Sequence, residues 1–575
     1  MKKILFILLQ MFSILSIYAE TESDWTNTIN AGIERYNRGD YQGSVVQFER
    51  SFQIAGNIFR RDDPKYIGTV EYLRLVYIEI QRYNDAENLF KLLISIYRNF
   101  APRGRHVNYA GAIQDLALFY QDIGLYNQSE TQFLLAKNIY REFEPRERSE
   151  EFSQVLTFLG DLYRDMNRFN DSEAHFIQAV NIYRSYAPIG GHPSYGIAAS
   201  NLGSLYMRLD RYTEAEPLLK DAVNIFRNVQ PQGRNITYLN FVNNLGSLYF
   251  ECGSYSEAEV LFIEARDKLK DIEPEPRGRN SSYLVVLNNL GLLYKKMGRY
   301  LESELVYKEL IEITRNFEPK ERSIDYILTL TNFASLYVEM KVRFLDAEIL
   351  YNQLLDITKE LEPRERHPYY IVNLNNLGSL YCNNGDYIKA EPLLQKHLDI
   401  QRALDPSGRS VDYAIALLNL GDLYRQMKKY PEAELLLKQA MNVITRLDSE
   451  VRNLYSVTVF NNLGELYYDT TRFDESLNYY RLALEAVNIL DPNGQRVEYA
   501  FVMHNIGKLY TSLSRYNESE VSLKRAIEIR RGLAPVGFHN DYGLSIKALG
   551  ELYLRMGRQT EAEQLINQAE AIFAQ

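Results

Sequence analysis

From about residue 25 onward the sequence repeats itself, and that limits its possible folds more than any other feature. The blocks Asn201-Leu-Gly-Ser-Leu-Tyr206, Asn244-Leu-Gly-Ser-Leu-Tyr249, Asn376-Leu-Gly-Ser-Leu-Tyr381 and Asn419-Leu-Gly-Asp-Leu-Tyr424 are each followed by an aromatic residue and Glu-Ala-Glu, or Lys-Ala-Glu after the third. The small residue of the block falls at 117, 160, 203, 246, 291, 334, 378, 421, 464, 507 and 550, a period of about 43. Gly32 and Arg74 extend the series to thirteen units, leaving no stretch for another domain. A single core rarely grows past roughly 250–300 residues, so a 575-residue chain built this way is an array in which each unit packs on its neighbours.

One unit reads as two antiparallel helices. Leu202, Gly203, Leu205 and Tyr206 give a 3.6-residue apolar stripe in the first, and Ala215, Leu218, Leu219, Ala222, Val223 and Phe226 give one in the second. The second helix carries Ala or Ser at one fixed position in all thirteen units, from Ser44 through Ala215 and Ala390 to Ala562. A bulky residue there would overpack the helix crossing. Asn84, Asn127, Asn170, Thr213, Ser256, Asn517 and Thr560 each precede a Glu by three residues, which predicts a capping box opening the second helix. Regular prolines (Pro102, Pro145, Pro188, Pro231, Pro276, Pro319, Pro363, Pro406, Pro492, Pro535) end it. Four residues later a polar column, Ser149, His192, Asn235, Ser323, His367 and Ser410, suits the N-cap of the next first helix.

The order Leu-Gly-x-Leu-Tyr, aromatic, Ala/Ser, Leu or aromatic, Ala, Pro resembles the tetratricopeptide repeat across residues 25–575. The usual unit has 34 residues; the longer unit here resembles the repeats of kinesin light chains. The resemblance implies an all-α superhelical solenoid of about thirteen antiparallel helix pairs that binds a protein or peptide. It also implies that the column Asn201, Asn244, Asn289, Asn332, Asn376, Asn419, Asn462 and Asn505 faces a concave groove and grips an extended peptide backbone. A side-chain amide offers both donor and acceptor. The same column equally reads as a bracing network between neighbouring helices.

The first 19 residues stand outside the repeat. Lys2 and Lys3, an apolar run from Ile4 to about Ile17, and small Ala19 read as a signal peptide, leaving residues 20–575 as the solenoid. That run is short of the ~20 residues a spanning helix needs, so no membrane span is expected in the mature chain. An exported protein, periplasmic or secreted, is the expectation.

Catalytic signatures are lacking in the sequence. The seven histidines form no metal-binding pair, and His106, His192, His367 and His539 fall at the N-cap position. Cys252 and Cys382 lie three units apart, so free thiols are expected. The Glu-Ala-Glu pairs read as caps and solvated face. Sixty-five Lys+Arg against 75 Asp+Glu gives no basic surplus for nucleic acid. An arginine column (Arg105, Arg148, Arg234, Arg279, Arg322, Arg366, Arg409, Arg452) reads as helix C-terminal capping or as an anion-binding edge. The expectation is therefore a binding scaffold, neither an enzyme nor a cofactor carrier. The alternative is an assembly protein of the cell envelope acting by self-association. The last pair, with Gln559, Gln564 and Gln568, is expected to fray or to be covered by a partner or second copy.

Overall fold

The structure, a computed structural model, describes residues 20–100, 107–143, 149–186, 192–229, 235–272, 281–315, 324–341, 343–362, 367–447, 449–490, 496–533 and 539–573. The expected signal segment, nine of the ten regular prolines and six of the eight arginines lie outside these residues. The described residues form twenty-six helices and no strand, paired from Glu22–Asn37 with Tyr41–Ile58 to His539–Arg555 with Gln559–Phe573. The chain is the expected all-α solenoid of thirteen helix pairs. It divides into two compact units, Met1–Leu248 and Tyr249–Gln575.

The turn inside every pair is the same. The residue seven after the small position adopts positive φ in all thirteen repeats: glycine at Gly39, Gly124, Gly253, Gly298, Gly385 and Gly557, and Gln81, Asn167, Asp210, Lys341, Lys428, Thr471 and Ser514 in the others. In the described turns the next backbone N–H reaches back to a carbonyl of the first helix, Arg35 in the first repeat and a Tyr in the others, as from Arg168 to Tyr163 at 2.8 Å, and closes a left-handed C-cap.

The second helix begins two residues earlier than the capping-box reading places it. The helices run Tyr83–Phe100, Tyr126–Phe143, Phe169–Tyr186, Tyr212–Val229, Tyr255–Ile272, Tyr516–Leu533 and Gln559–Phe573, so Asn84 and its counterparts sit second inside the helix. The acid engaged at the helix start is not the Glu of that pattern but the residue directly after Asn84 and its counterparts. Where the residue ahead of the helix is arginine, its guanidinium holds the acid at the third position: Arg82 with Asp85, Arg168 with Asp171, Arg211 with Glu214. The N-caps of the first helices are as expected where they are described. Ser149, His192, Asn235, His367 and Ser410 each accept a backbone N–H from the opening turn.

Close approach at the crossing explains the small residues. A Cβ on Gly160 would lie 2.6 Å from the Phe176 ring, and one on Gly378 2.7 Å from Leu394. The alternation of Ala and Ser across the crossing has a polar reason too. Ser44, Ser129, Ser172, Ser303, Ser476 and Ser519, all fully buried, donate to the carbonyls of Gly32, Ala117, Gly160, Gly291, Gly464 and Gly507. In the second repeat Arg74 replaces the glycine, stacking 4.4 Å over Phe90 and pairing with Asp115.

Successive repeats are stapled by a recurrent polar clamp. The Glu after the small position accepts the hydroxyl of the next repeat's first-helix tyrosine: Tyr120 on Glu87, Tyr163 on Glu130, Tyr206 on Glu173, Tyr337 on Glu304, Tyr381 on Glu348, Tyr467 on Glu434 and Tyr553 on Glu520. The basic residue of the following turn lies over that ring, 4.3 Å for Arg168 on Tyr163 and 3.7 Å for Arg558 on Tyr553. Arginine also reaches the same Glu, as Arg168 does Glu130 at 2.9 Å. This Glu is a structural staple and not merely a solvated face.

Candidate functional site

Within each unit consecutive first helices touch, for example Glu150–Asp165 with Pro193–Arg208 and Val411–Gln426 with Ser449–Asp469, while second helices pack on first helices. The row of first helices is therefore the tighter, inner side. The asparagine column lies on it, at the flank of the buried stripe. Asn201 and Asn244 belong to the first unit and the other six to the second.

The amides are engaged through their nitrogens. Asn201 donates to Asp161 at 3.1 Å and Asn244 to Ser200 at 3.3 Å. In the second unit Asn332 donates to Asn288 at 2.6 Å and Asn419 to Asn375 at 2.7 Å; Asn505 donates to Asn461 and Glu465, both at 2.9 Å. Each bond joins the first helices of neighbouring repeats. The Oδ1 atoms of these five asparagines accept no hydrogen bond from the described residues. Asn376 and Asn462 are half-buried and make no side-chain hydrogen bond among the described residues. The column thus braces the row through nitrogen and presents carbonyl oxygens.

One helical turn earlier runs an apolar row that the sequence reading missed. Val285, Val372 and Phe501 are exposed in the second unit, with Leu328 and Ile415 half-buried at the same position and Thr458 interrupting the row before Phe501. Residues four apart share a helix face, so acceptors and aliphatic side chains run in parallel. A comparison of the position four residues before each asparagine would have found it.

The two rows end beside a polar pocket of about 240 Å³ lined by Arg425, Glu465, Tyr468, Asp469, Tyr480, Asn505 and Lys508. Arg425 bridges Asp422, Glu465 and Asp469 at 2.9, 3.0 and 2.7 Å. Burial raises the Glu465 carboxyl above its ordinary value, against the pull of Arg425. Lys508 lies 5.6 Å over the Tyr468 ring. The volume is below the ~300–1,000 Å³ of small-molecule sites and suits one side chain of a larger ligand.

Among the described residues no group of His, Cys, Asp and Glu is arranged to hold a metal, and no helix is long and apolar enough to cross a membrane. Both cysteines are free thiols. His192 and His367 cap helices, while desolvation pushes the buried His397 down to about 4 and the half-buried His504 down to about 3. His106, the His539 side chain and the arginine column apart from Arg409 and the backbone of Arg452 lie outside the described residues.

Family models described as tetratricopeptide repeat match residues 151–228, 369–446 and 455–532, with further matches at 284–317 and 242–271. Together these span just over half the chain. The chain belongs to the tetratricopeptide repeat family. Among solved structures, BtubC (BKLC) from P. vanneervenii is 21% identical, with 41% of this chain and 91% of that one covered and a TM-score of 0.34. A P. anserina putative kinesin light chain with nearly identical TPR-like repeats is 20% identical, covering 37% and 98%, with a TM-score of 0.34. Cut9-Hcn1, an APC/C hetero-tetramer, is 14% identical over 98% and 95%, with a TM-score of 0.37. No curated protein matches the sequence. A tetratricopeptide repeat array is a protein-interaction scaffold, and the repeats account for the described chain.

Proposed function

We propose that this tetratricopeptide protein is exported and holds an extended polypeptide segment along its row of first helices. The observation that carries this reading is the parallel pair of rows in the second unit: carbonyl acceptors from the asparagine column beside exposed apolar side chains. An extended chain presents backbone N–H groups at regular intervals and can meet several such acceptors whatever its sequence. Alternate side chains lie on Val285, Val372 and Phe501. The pocket at Arg425, Glu465 and Lys508 takes one polar side chain. Each amide contact contributes about 0.5–1.5 kcal/mol net, so affinity comes from several together.

Asn376 and Asn462 separate binding from bracing, because their side chains bond to no described residue. A peptide selected on the purified chain from a random-sequence library is the probe. Asn376→Ala with Asn462→Ala should weaken it at least tenfold while leaving helicity and melting temperature unchanged. Unchanged affinity with intact folding would move the site off this column. Export is tested by sequencing the N-terminus of the native protein: a start at Glu20 supports it and an intact Met1 from cytosol rejects it.

A further inference from the structure

The outer face of the second helices carries a feature that the peptide-binding reading does not use. The positions two before and two after the small residue point away from the paired first helix, since they lie on the opposite side of the helical wheel. In four repeats both are polar: Asn84 and Asn88, Asn127 and Thr131, Asp474 and Asn478, Thr560 and Gln564. Across five consecutive second helices of the second unit at least one of the two is aliphatic instead. Tyr255–Ile272 presents Val260, Tyr300–Thr314 presents Leu301 and Leu305, and Phe344–Leu361 presents Leu345 and Ile349. Tyr387–Leu404 then presents Ile388, and Tyr430–Ile444 presents Leu435. Their exposure runs from 60% at Leu435 to 86% at Ile388. Among the other described second helices these positions expose a large aliphatic residue only singly, at Val46 and Val521. Single exposed aliphatics need no explanation, whereas a contiguous row marks an interaction surface.

We infer that this row is the contact between two copies of the chain, paired about a two-fold axis at the Phe344–Leu361 helix. Three observations select a second copy over other occupants. Seven side chains at 60% exposure or more give an apolar area on the order of several hundred Å², the scale of the ~800 Å² per partner that a standard stable interface removes from water. The row is also laid out for self-pairing, because it crosses five helices and so has a central one with two contributing helices on either side. A two-fold axis through Leu345 and Ile349 sets Ile388 against Leu301 and Leu305, and Leu435 against Val260, which is the self-complementarity an isologous interface requires. Finally, the charges beside it are paired within the chain: Arg299 with Glu302, Lys308 with Glu304, Arg343 with Asp346 and Lys389 with Asp386. Two such rims meet without a net repulsion. With 65 basic against 75 acidic residues, the chain has no cationic surplus to hold an anionic lipid surface. The first helices of both copies stay open to ligand.

The test is the mass of the purified full chain at micromolar concentration by sedimentation equilibrium. Twice the mass of one chain is expected. Leu301→Glu, Leu345→Glu and Ile388→Glu together should give single chains, a loss of at least 100-fold in self-affinity, with unchanged helicity because all three side chains are exposed. Val46→Glu with Val521→Glu should remain paired. Leu345→Glu mixed with Leu345→Lys should pair more strongly than either alone, since this residue faces its own copy across the axis. A wild-type chain that sediments singly overturns the proposal, as does a stripe variant that still pairs. A single chain that floats with phosphatidylcholine vesicles also overturns it and assigns the row to lipid.

Discussion

At the scale of single residues, the turn between paired helices shows how the same backbone is reached at different cost. Thirteen residues at one position hold positive φ, and seven of them carry a side chain. Thr471, with φ 58°, is β-branched and the most strained by chirality, since a left-handed conformation costs an L-residue roughly 1–2 kcal/mol. Thr471→Gly should therefore raise stability by about 1 kcal/mol, read from the urea midpoint. Gly385→Ala, at φ 77° with nothing within 4 Å of the added Cβ, should lower it by a similar amount through the backbone alone. Inside helices the sign of a glycine exchange depends on the neighbour. Gly160→Ala drives a methyl to 2.6 Å from Phe176 and should cost about 1–3 kcal/mol. Gly68→Ala, with open space around it, should stabilise its helix by roughly 0.4–1 kcal/mol. A lack of change at Gly160 would mean that Phe176 shifts freely.

At the scale of the helix pair, the sequence was legible wherever a property repeats on one helix and obscure wherever it joins two. The apolar stripes, the small crossing residues and the N-caps such as His192 and His367 follow from spacing within a helix. The clamp does not, because Glu130 and Tyr163 are 33 residues apart and come together only when one repeat packs on the next. Read alone, Glu130 looks like one more exposed acid at a helix start. For the same reason the asparagine column was legible as a column, with groove and brace both open, while its partners were not, since Asn332 and Asn288 meet across two helices. The clamp makes its own prediction. Glu130→Ala removes the acceptor of both Tyr163 and Arg168 and should destabilise by about 1–3 kcal/mol, whereas Tyr163→Phe, which leaves Arg168 paired, should cost about 0.5–1.5 kcal/mol. Hydrogen exchange should place the loss in the helices Tyr126–Phe143 and Glu150–Asp165. A loss spread evenly over the chain would mean that the repeats do not act as near-neighbour units.

At the scale of the whole molecule, repetition multiplies a small effect of pH. The clamp tyrosines Tyr120, Tyr163, Tyr206, Tyr337, Tyr381 and Tyr467 are each pushed up to about 12 from the ordinary 10, chiefly by burial and further by the carboxylate they bond. Tyr77, on Glu49, is raised to about 12 in the same way. Between pH 10 and 12 the unfolded chain releases these protons and the folded chain keeps them. The folded state then binds more protons than the unfolded one, so stability falls as pH rises across that window. Below pH 10 both states are protonated at these groups and the contribution is fully present. Because the same tyrosine recurs in both units, the losses accumulate along the array. Helicity should hold to about pH 10 and then collapse before pH 12, with the phenolate absorbance of the clamp tyrosines appearing in the same step. Ionisation of all tyrosines near pH 10 with helicity intact would show that the clamp hydroxyls are open to water, and would remove the staple from the account of how the repeats hold together.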